Sequence, residues 1–330
     1  MTIINRLYDS YISFINNYSD NGWTQWKGNV SPLNHIENYE IIFTNFGRYI
    51  NTKELKNCNF ENDNWSITNG INCSNHHTHS KQNDYDFLIC NIKKIFNENT
   101  KNITIHDLKI PEFSCIYGEI MDNNTIIPPI FYKFGINLEK IINIYEKINM
   151  KPKIVLEIGC GYGGFSHLFM NYYKNVKYVI VDINPGMSFA AYFLHKLGYK
   201  IKLSNEFTTF DNFLNSDTNV LFLYPQQIHN IPDNIIDIII NMDSIVEMDE
   251  LSVLLYVNEM NRLVNHFIFS NNATNHLYNY FITNAVNILS NTFNILSEKS
   301  PCIEPYSHLS FEMTISNNYF NNIFLNKNCQ

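Results

Sequence analysis

A glycine-rich turn flanked by acidic residues is the part of the sequence best suited to chemistry. The run IVLEIGCGYGG, residues 154–164, places Glu157 near the end of an apolar stretch, two residues before the first of three alternating glycines, Gly159, Gly161 and Gly163. Glycines let the backbone turn sharply and let a ligand approach it with no Cβ in the way. Asp182 closes the next apolar run, where a carboxylate can accept both hydroxyls of a ribose. These residues predict a site for a nucleoside-containing cofactor.

Two cofactors are compatible with this turn. Gly159, Gly161 and Gly164 satisfy the dinucleotide pattern G-x-G-x-x-G, so an NAD-dependent oxidoreductase is one interpretation. Glu157 favours the other, because its carboxylate would repel a pyrophosphate but attract the cationic methionine part of S-adenosylmethionine, directly or through water. Asp182 is consistent with both ligands. We therefore predict S-adenosylmethionine as the cofactor and keep NAD as the alternative.

The elements around the turn follow an α/β pattern from about Lys153 onward. Apolar runs predict strands at 154–158, 178–182, 220–224, 236–241 and 266–270, and helical periodicity predicts helices at 163–173, 187–197, 251–263 and 277–289. Gly198 is placed to end the second of these helices. Two last strands, at 293–297 and 311–316, are predicted to form a terminal antiparallel pair. Residues 1–150 predict a mainly helical cap that binds substrate, followed by a Rossmann-like domain at 151–330.

The residues after the fourth predicted strand carry a family resemblance. The string NMDSIVEM, residues 241–248, resembles the sugar O-methyltransferase family found with polysaccharide-assembly genes. The turn at 157–164, the run YVIVD at 178–182 with AYFL at 191–194, and the upstream run YGEI at 117–120 are similar to that family as well. The resemblance implies a class I methyltransferase fold, parallel except for a terminal antiparallel strand, and methyl transfer to a hydroxyl of a nucleotide sugar or a glycan end. Another small acceptor and a non-catalytic methyltransferase-like subunit are the alternatives.

Three carboxylates are candidates for the base that removes the acceptor proton. Asp243 and Glu247 share one face if their segment is helical, and Glu119 is the third candidate. The alternative is that Asp243 holds the methionine ammonium and Glu247 has a structural role. Asn241 and Gln226 are predicted to contact the cofactor, with the adenine near the end of the strand at 220–224 and Gln226 on its rim.

Several other polar and aromatic residues have weaker assignments. His76, His77 and His79 lie in a polar stretch without matching acids or cysteines, so no metal site is predicted. His276 and His308 are alternative bases near the acceptor. Trp23, Trp26 and Trp65 are predicted to form the core of the cap, with stacking on a sugar as the alternative.

Composition limits the classes of partner. The 330 residues include 31 acidic and 23 basic side chains, a formal charge of -8 that would repel a nucleic-acid backbone. Seven cysteines without a C-x-x-C pair predict reduced thiols and a cytoplasmic location. No run reaches the roughly 18 apolar residues of a membrane span. We expect a small-molecule or glycan substrate, and both a monomer and a homo-oligomer remain open.

Overall fold

A computed structural model describes twelve stretches of the chain. They are residues 2–18, 93–111, 119–121, 125–128, 130–183, 186–245, 248–273, 288–289, 292–295, 302–303, 315–316 and 319–325. The chain divides into two compact units. The first comprises Met1–Ser31, Lys151–Pro301 and Asn317–Gln330, and the second comprises Pro32–Met150 and Cys302–Ser316. The assignment of residues 1–150 to one substrate-binding cap stays a prediction.

The helices and strands are numbered in chain order. The helices are α1 (Ile3–Tyr18), α2 (Ile130–Ile148), α3 (Gly164–Tyr172), α4 (Gly186–Lys196), α5 (Phe210–Leu214) and α6 (Glu250–Leu263). The strands are β1 (Ile110–Pro111), β2 (Glu119–Ile120), β3 (Thr125–Ile127), β4 (Ile154–Ile158), β5 (Lys177–Val181), β6 (Ile201–Lys202), β7 (Val220–Leu223), β8 (Ile236–Met242), β9 (Val264–Ala273), β10 (Asn294–Ile295), β11 (Cys302–Ile303), β12 (Ile315–Ser316) and β13 (Tyr319–Leu325). Short 3₁₀ helices occupy Ile105–Leu108, Ser204–Glu206 and Pro225–Asn230, and residues 93–99 are also helical.

The first unit is built on an eight-stranded sheet with the order β10-β13-β9-β8-β4-β5-β7-β6. Strands β4 to β9 are parallel to one another, whereas β13 runs antiparallel to both β9 and β10. The chain proceeds from β4 to one side through β5 and later returns to its other side at β8. Ligands bind at such a switch point in open α/β sheets, beyond the carboxyl ends of the strands. This topology confirms the predicted α/β fold of the class I methyltransferase type.

The central strands are mainly apolar because both faces of the sheet are covered. Val155, Leu156 and Ile158 of β4 are fully buried, and so are the four residues of β7. Near-continuous apolar runs are typical of parallel strands packed between helices. Asp237 accepts hydrogen bonds from the backbone N–H groups of Lys153 (2.6 Å) and Ile154 (3.0 Å), which fixes the start of β4 beside β8.

The prediction for the terminal antiparallel pair was wrong in its second strand. β10 pairs with β13 at 319–325, and not with Ile315–Ser316, the described part of the predicted strand at 311–316. Of that predicted run, Ile315–Ser316 forms a separate two-stranded sheet with Cys302–Ile303. The sequence interpretation joined the two nearest apolar runs, whereas the edge of the large sheet takes the longer partner, since β13 forms seven register pairs with β9. The short edge strand β6 was not predicted at all.

Helix α1 belongs to the sheet-containing unit. Arg6 donates two hydrogen bonds to the Glu206 carboxylate (2.6 and 2.7 Å) and one to the Ile201 carbonyl (2.9 Å). Ser10 is buried, and its carbonyl accepts from the Tyr224 hydroxyl at 2.7 Å. The contacts attach α1 to the region around β6 and β7.

The second unit contains α2 and two small sheets. Glu139 of α2 accepts hydrogen bonds from the backbone N–H groups of Asn102 (2.8 Å) and Ile103 (3.0 Å). The three-stranded sheet has the order β1-β3-β2. Within the described stretches of both units, no helix is long and apolar enough to cross a membrane.

Candidate functional site

The glycine turn lies at the carboxyl end of β4, and its glycines have positive φ angles. Gly159, Gly161 and Gly163 have φ values of 72°, 56° and 84°, in a region that side-chain-bearing residues rarely adopt. The backbone closes the turn with hydrogen bonds from Gly159 N–H to the Val181 carbonyl (2.9 Å) and from Gly163 N–H to the Cys160 carbonyl (3.0 Å). Helix α3 then begins at Gly164, one residue after the predicted start.

The space around the three glycines differs. A Cβ at Gly159 would lie 1.9 Å from Ser244 Oγ, so this glycine is required for packing. A Cβ at Gly163 would meet Leu194 Cγ at 3.3 Å. A Cβ at Gly161 would meet no described atom within 4 Å. The turn therefore leaves open space at Gly161, where a ligand can approach the backbone.

Asp182 closes the site from the neighbouring strand. Its Oδ2 accepts a hydrogen bond from Cys160 N–H at 3.0 Å, and its Oδ1 accepts from Ile183 N–H at 2.7 Å. Burial raises the pKa of this carboxyl to about 6, although the hydrogen bonds act in the opposite direction. Cys160 Sγ also donates to Oδ2, at 3.4 Å, so Oδ1 is the oxygen that keeps acceptor capacity for a ribose hydroxyl. The ribose contact itself remains a prediction.

Glu157 is buried between β4 and α3, with 2% of its surface exposed. Its Oε2 accepts hydrogen bonds from Ser166 Oγ at 2.5 Å and from the Tyr178 hydroxyl at 2.8 Å. Burial raises the pKa of the carboxyl to about 7, against the effect of these two donors. Sequence reasoning missed Ser166 and Tyr178. The signal available was the parallel register, because Tyr178 lies two residues before Ile180, which pairs with Glu157, and therefore on the same face.

A buried amide network supports the turn from β8 and β9. Asn241 Nδ2 donates to the Ile158 carbonyl at 2.8 Å, and Asn241 Oδ1 accepts from Asn272 Nδ2 at 2.8 Å. Asn272 Oδ1 accepts from Ser244 N–H at 3.2 Å, which holds the serine that packs on Gly159. Asn241 was predicted to contact the cofactor. Its side chain hydrogen-bonds to Ile158 and Asn272, so the described geometry gives it a supporting position behind the turn.

The three candidate bases are described to different extents. Asp243 follows β8 with a φ of 52°, and its N–H donates to the Asn271 carbonyl at 3.0 Å. Positive φ is uncommon for a residue with a side chain, although aspartate is among the residues that adopt it more often. Glu247 lies outside the described residues, and the backbone of Glu119 is described in β2 but its side chain is not. The choice among the three stays open.

Gln226 lies beyond the carboxyl end of β7, as predicted, in the 3₁₀ helix at 225–230. Its neighbour Gln227 is used structurally, since its side chain accepts from Tyr224 N–H at 2.9 Å and donates to the Ser204 carbonyl at 3.2 Å. Gln226 Oε1 is buried and accepts no hydrogen bond from the residues that the structure describes. An adenine amino group would satisfy this oxygen, and that contact remains a prediction.

The remaining candidates are outside the described residues. These are His76, His77, His79, His276, His308, Trp23, Trp26 and Trp65. Within the part of the chain that is described, no three His, Cys, Asp or Glu side chains are grouped to hold a metal ion.

Comparison with known proteins gives structural similarity only. No family model and no curated protein matches the chain. PH0226 protein from Pyrococcus horikoshii OT3 is 18% identical over 58% of this chain and 88% of its own, with a TM-score of 0.40. N-methyltransferase NodS from Bradyrhizobium japonicum WM9, solved in complex with S-adenosyl-L-homocysteine, is 10% identical over 59% of this chain and 88% of its own, also at 0.40. CurJ carbon methyltransferase is 13% identical over 57% of this chain and 52% of its own, at 0.39. The chain thus spans about half the length of the CurJ structure.

Proposed function

We propose that the chain is an S-adenosylmethionine-dependent methyltransferase. The observation that carries the proposal is the glycine turn at the switch point of the sheet. There, Gly161 leaves the backbone open to a ligand, while Glu157 and Asp182 place two carboxylates beside it. The residues fit the three parts of the cofactor: a carboxylate for the ammonium, an open backbone for the middle, and a carboxylate for the ribose.

The same residues favour this cofactor over NAD. A pyrophosphate beside the turn would be close to Glu157, whose buried carboxylate makes a second anion unfavourable. The fold supports the same choice, because β13 runs antiparallel between β9 and β10. That ending is typical of class I methyltransferases and is not found in dehydrogenases.

The chemistry needs alignment and a proton acceptor. The bound cofactor supplies an electrophilic methyl group on a sulfonium. A bond forms between that carbon and the acceptor atom, the carbon–sulfur bond breaks with its electron pair going to sulfur, and S-adenosylhomocysteine leaves. Holding the reactants in line lowers the entropic part of the barrier. A carboxylate within hydrogen-bond reach of an acceptor hydroxyl would take its proton, and Asp243 is the candidate with a described side chain.

A sugar hydroxyl is the acceptor that we propose. The support is the resemblance of residues 241–248 to the sugar O-methyltransferase family. Within this string, we assign different roles to different residues. Asn241 and Ser244 build the cofactor turn, and Asp243 and Glu247 are the two carboxylates of the string that we propose for the acceptor. The protein is incubated with S-adenosylmethionine and a panel of nucleotide sugars, and the products are read by mass spectrometry. One of the sugars should show the mass gain of a single methylation. Transfer only to non-sugar acceptors would reject the sugar and keep the class.

Thermal unfolding tests the class directly. A ligand that binds the native state raises its stability, by about 2.7 kcal/mol at a hundredfold excess over Kd. We expect S-adenosylhomocysteine to raise the melting temperature and NAD to leave it unchanged. The reverse result would favour the oxidoreductase. Binding of S-adenosylhomocysteine without transfer to any acceptor would favour the non-catalytic subunit.

A further inference from the structure

We propose that Ser166 and Tyr178 are positioning residues of the cofactor site. They hold Oε2 of Glu157, so that the second oxygen, Oε1, is presented to the ammonium group of the methionine part. The inference rests on the proposed function and adds to it the two side chains that orient the carboxylate.

The geometry around Glu157 is asymmetric. Ser166 Oγ and the Tyr178 hydroxyl both donate to Oε2, at 2.5 and 2.8 Å. Among the described residues, none donates a hydrogen bond to Oε1. Oε1 also keeps some exposed surface, because it is not among the fully buried side-chain atoms without a partner. A carboxylate fixed at one oxygen in this way leaves acceptor capacity on the other.

The two donors come from elements on either side of the turn. Ser166 is in the first turn of α3, and Tyr178 is in β5 on the same sheet face as Glu157. Both are fully buried, with no exposed surface. A buried hydroxyl whose donor is satisfied by a carboxylate has a fixed direction, because losing that bond would leave a polar group unpaired. The carboxylate orientation is therefore set before any ligand arrives.

The same contacts control the charge of Glu157. Burial raises its pKa to about 7, the two hydroxyls lower it, and the nearby Asp182 raises it. The other titratable groups acting here are Tyr178 itself and Cys160, and burial raises the pKa of each well above its ordinary value, so both are neutral near pH 7. Removing either hydroxyl donor should raise the pKa of Glu157 further and reduce the fraction of carboxylate near neutral pH.

A pair of ligands separates this role from general damage. S-adenosylhomocysteine has the amino-acid part, whereas methylthioadenosine has the same adenine, ribose and thioether without it. In the native protein, the affinity for S-adenosylhomocysteine should fall up to tenfold per pH unit below about 7, since Glu157 takes up a proton there. Methylthioadenosine affinity should start to fall only below about pH 6, where Asp182 is protonated.

The experiment measures Kd for both ligands against pH in three variants. Tyr178→Phe and Ser166→Ala should weaken S-adenosylhomocysteine about three- to tenfold near pH 7.5 and shift its pH midpoint upward, with methylthioadenosine unchanged. Tyr199→Phe is the matched control, because its hydroxyl also contacts α3, at His167 Nδ1 (3.0 Å), and not Glu157. It should leave both profiles unchanged.

The outcomes separate the two proposals. If the unmodified protein binds neither ligand, the proposed function fails and this inference fails with it. If it binds S-adenosylhomocysteine but the two variants keep its Kd and pH midpoint, only the positioning role is overturned. Equal weakening of both ligands in both variants would also overturn that role, because the damage would then lie in the turn as a whole.

Discussion

At the scale of single residues, the three glycines of the turn have different requirements because their surroundings differ. Gly159 has Ser244 against it, and Gly163 faces the side chains of α4. Gly161 alone of the three has open space where a Cβ would be. A substitution at Gly161 should therefore affect the ligand more than the fold.

We expect Gly161→Ala to weaken S-adenosylhomocysteine binding at least tenfold, since the new methyl group occupies the ligand's path. The positive φ adds a stability cost of about 1 kcal/mol. Gly198→Ala is the matched control, with a φ of 89° and equally open surroundings. It should lose similar stability in urea unfolding and keep its Kd. Equal affinity in both variants, by calorimetric titration, would mean that the ligand does not approach Gly161.

The raised pKa of Glu157 predicts a pH-dependent stability. An unfolded glutamate ionises near 4.5 and the folded one near 7. Between these values the native state holds the extra proton, so the free energy of unfolding falls as pH rises, by up to about 1.4 kcal/mol per pH unit.

Glu157→Gln has no proton to lose there, so its stability relative to the parent protein should increase from about pH 5 to 7.5. Urea unfolding at the two values measures this difference, and Glu250→Gln, at an exposed glutamate, should not change the slope. A pH dependence that is identical in Glu157→Gln and the parent protein would contradict the burial argument.

The candidate bases are distinguished by neutral isosteres. If Asp243 or Glu247 takes the acceptor proton, Asp243→Asn or Glu247→Gln should lower kcat by roughly 10²–10⁴ with little change in cofactor Kd. If Asp243 holds the methionine ammonium, its isostere should instead weaken S-adenosylhomocysteine and keep kcat at saturating cofactor. Near-native kcat in both variants and in Glu119→Gln would mean that the base is a histidine such as His276, or that no base is needed and alignment alone carries the reaction.

At the scale of elements, the amide network joins β8 and β9 to the turn after β4. Asn241 is almost fully buried and is the direct link, because its side chain donates to the carbonyl that ends β4. The network explains why an asparagine at the end of β8 is followed three residues later by a serine. Sequence reasoning saw the spacing but could not see its partners, since Asn272 is remote in the chain.

Asn241→Asp should destabilise the protein by about 2–4 kcal/mol, because an oxygen would face the Ile158 carbonyl in a buried position. Asn230→Asp is the control, since Asn230 is exposed and its side chain also donates to one carbonyl, that of Gln227. It should cost less than about 0.5 kcal/mol. Chemical denaturation measures both. A cost for Asn241→Asp as small as that of the control would show that the network adds nothing to the turn.

The sequence predicted the parallel strands well and the last strands poorly, for a physical reason. β4, β5, β7 and β8 are buried on both faces, so each is a mainly apolar run with little ambiguity. The antiparallel edge depends on which distant segment completes the sheet. β13 has two asparagines in its middle, at Asn321 and Asn322, which weakened its apolar signal although it pairs along seven residues of β9.

At the scale of the whole molecule, the sheet places the residues of the site together from distant parts of the sequence. Glu157 lies in β4 and the turn follows it, Asp182 follows β5, Gln226 follows β7 and Asp243 follows β8. These strands are neighbours and parallel, so their carboxyl ends share one edge. The sequence could predict this edge. The parallel register places Tyr178 on the same face as Glu157, but the contact of Ser166 with Glu157 depends on the direction of side chains inside the core, which the sequence does not give.

Binding of S-adenosylmethionine at this edge through Asp182 can be measured by calorimetric titration with S-adenosylhomocysteine. The protein should bind one equivalent, and Asp182→Ala should weaken binding at least tenfold, since a hydrogen bond to a charged group contributes about 1.5–3 kcal/mol. Asp217→Ala, at an exposed carboxylate whose partner is Lys200, should bind as the parent protein does. An unchanged Kd in Asp182→Ala would show that Asp182 does not contact the cofactor. No binding by the parent protein would show that this edge is not a site for S-adenosylmethionine.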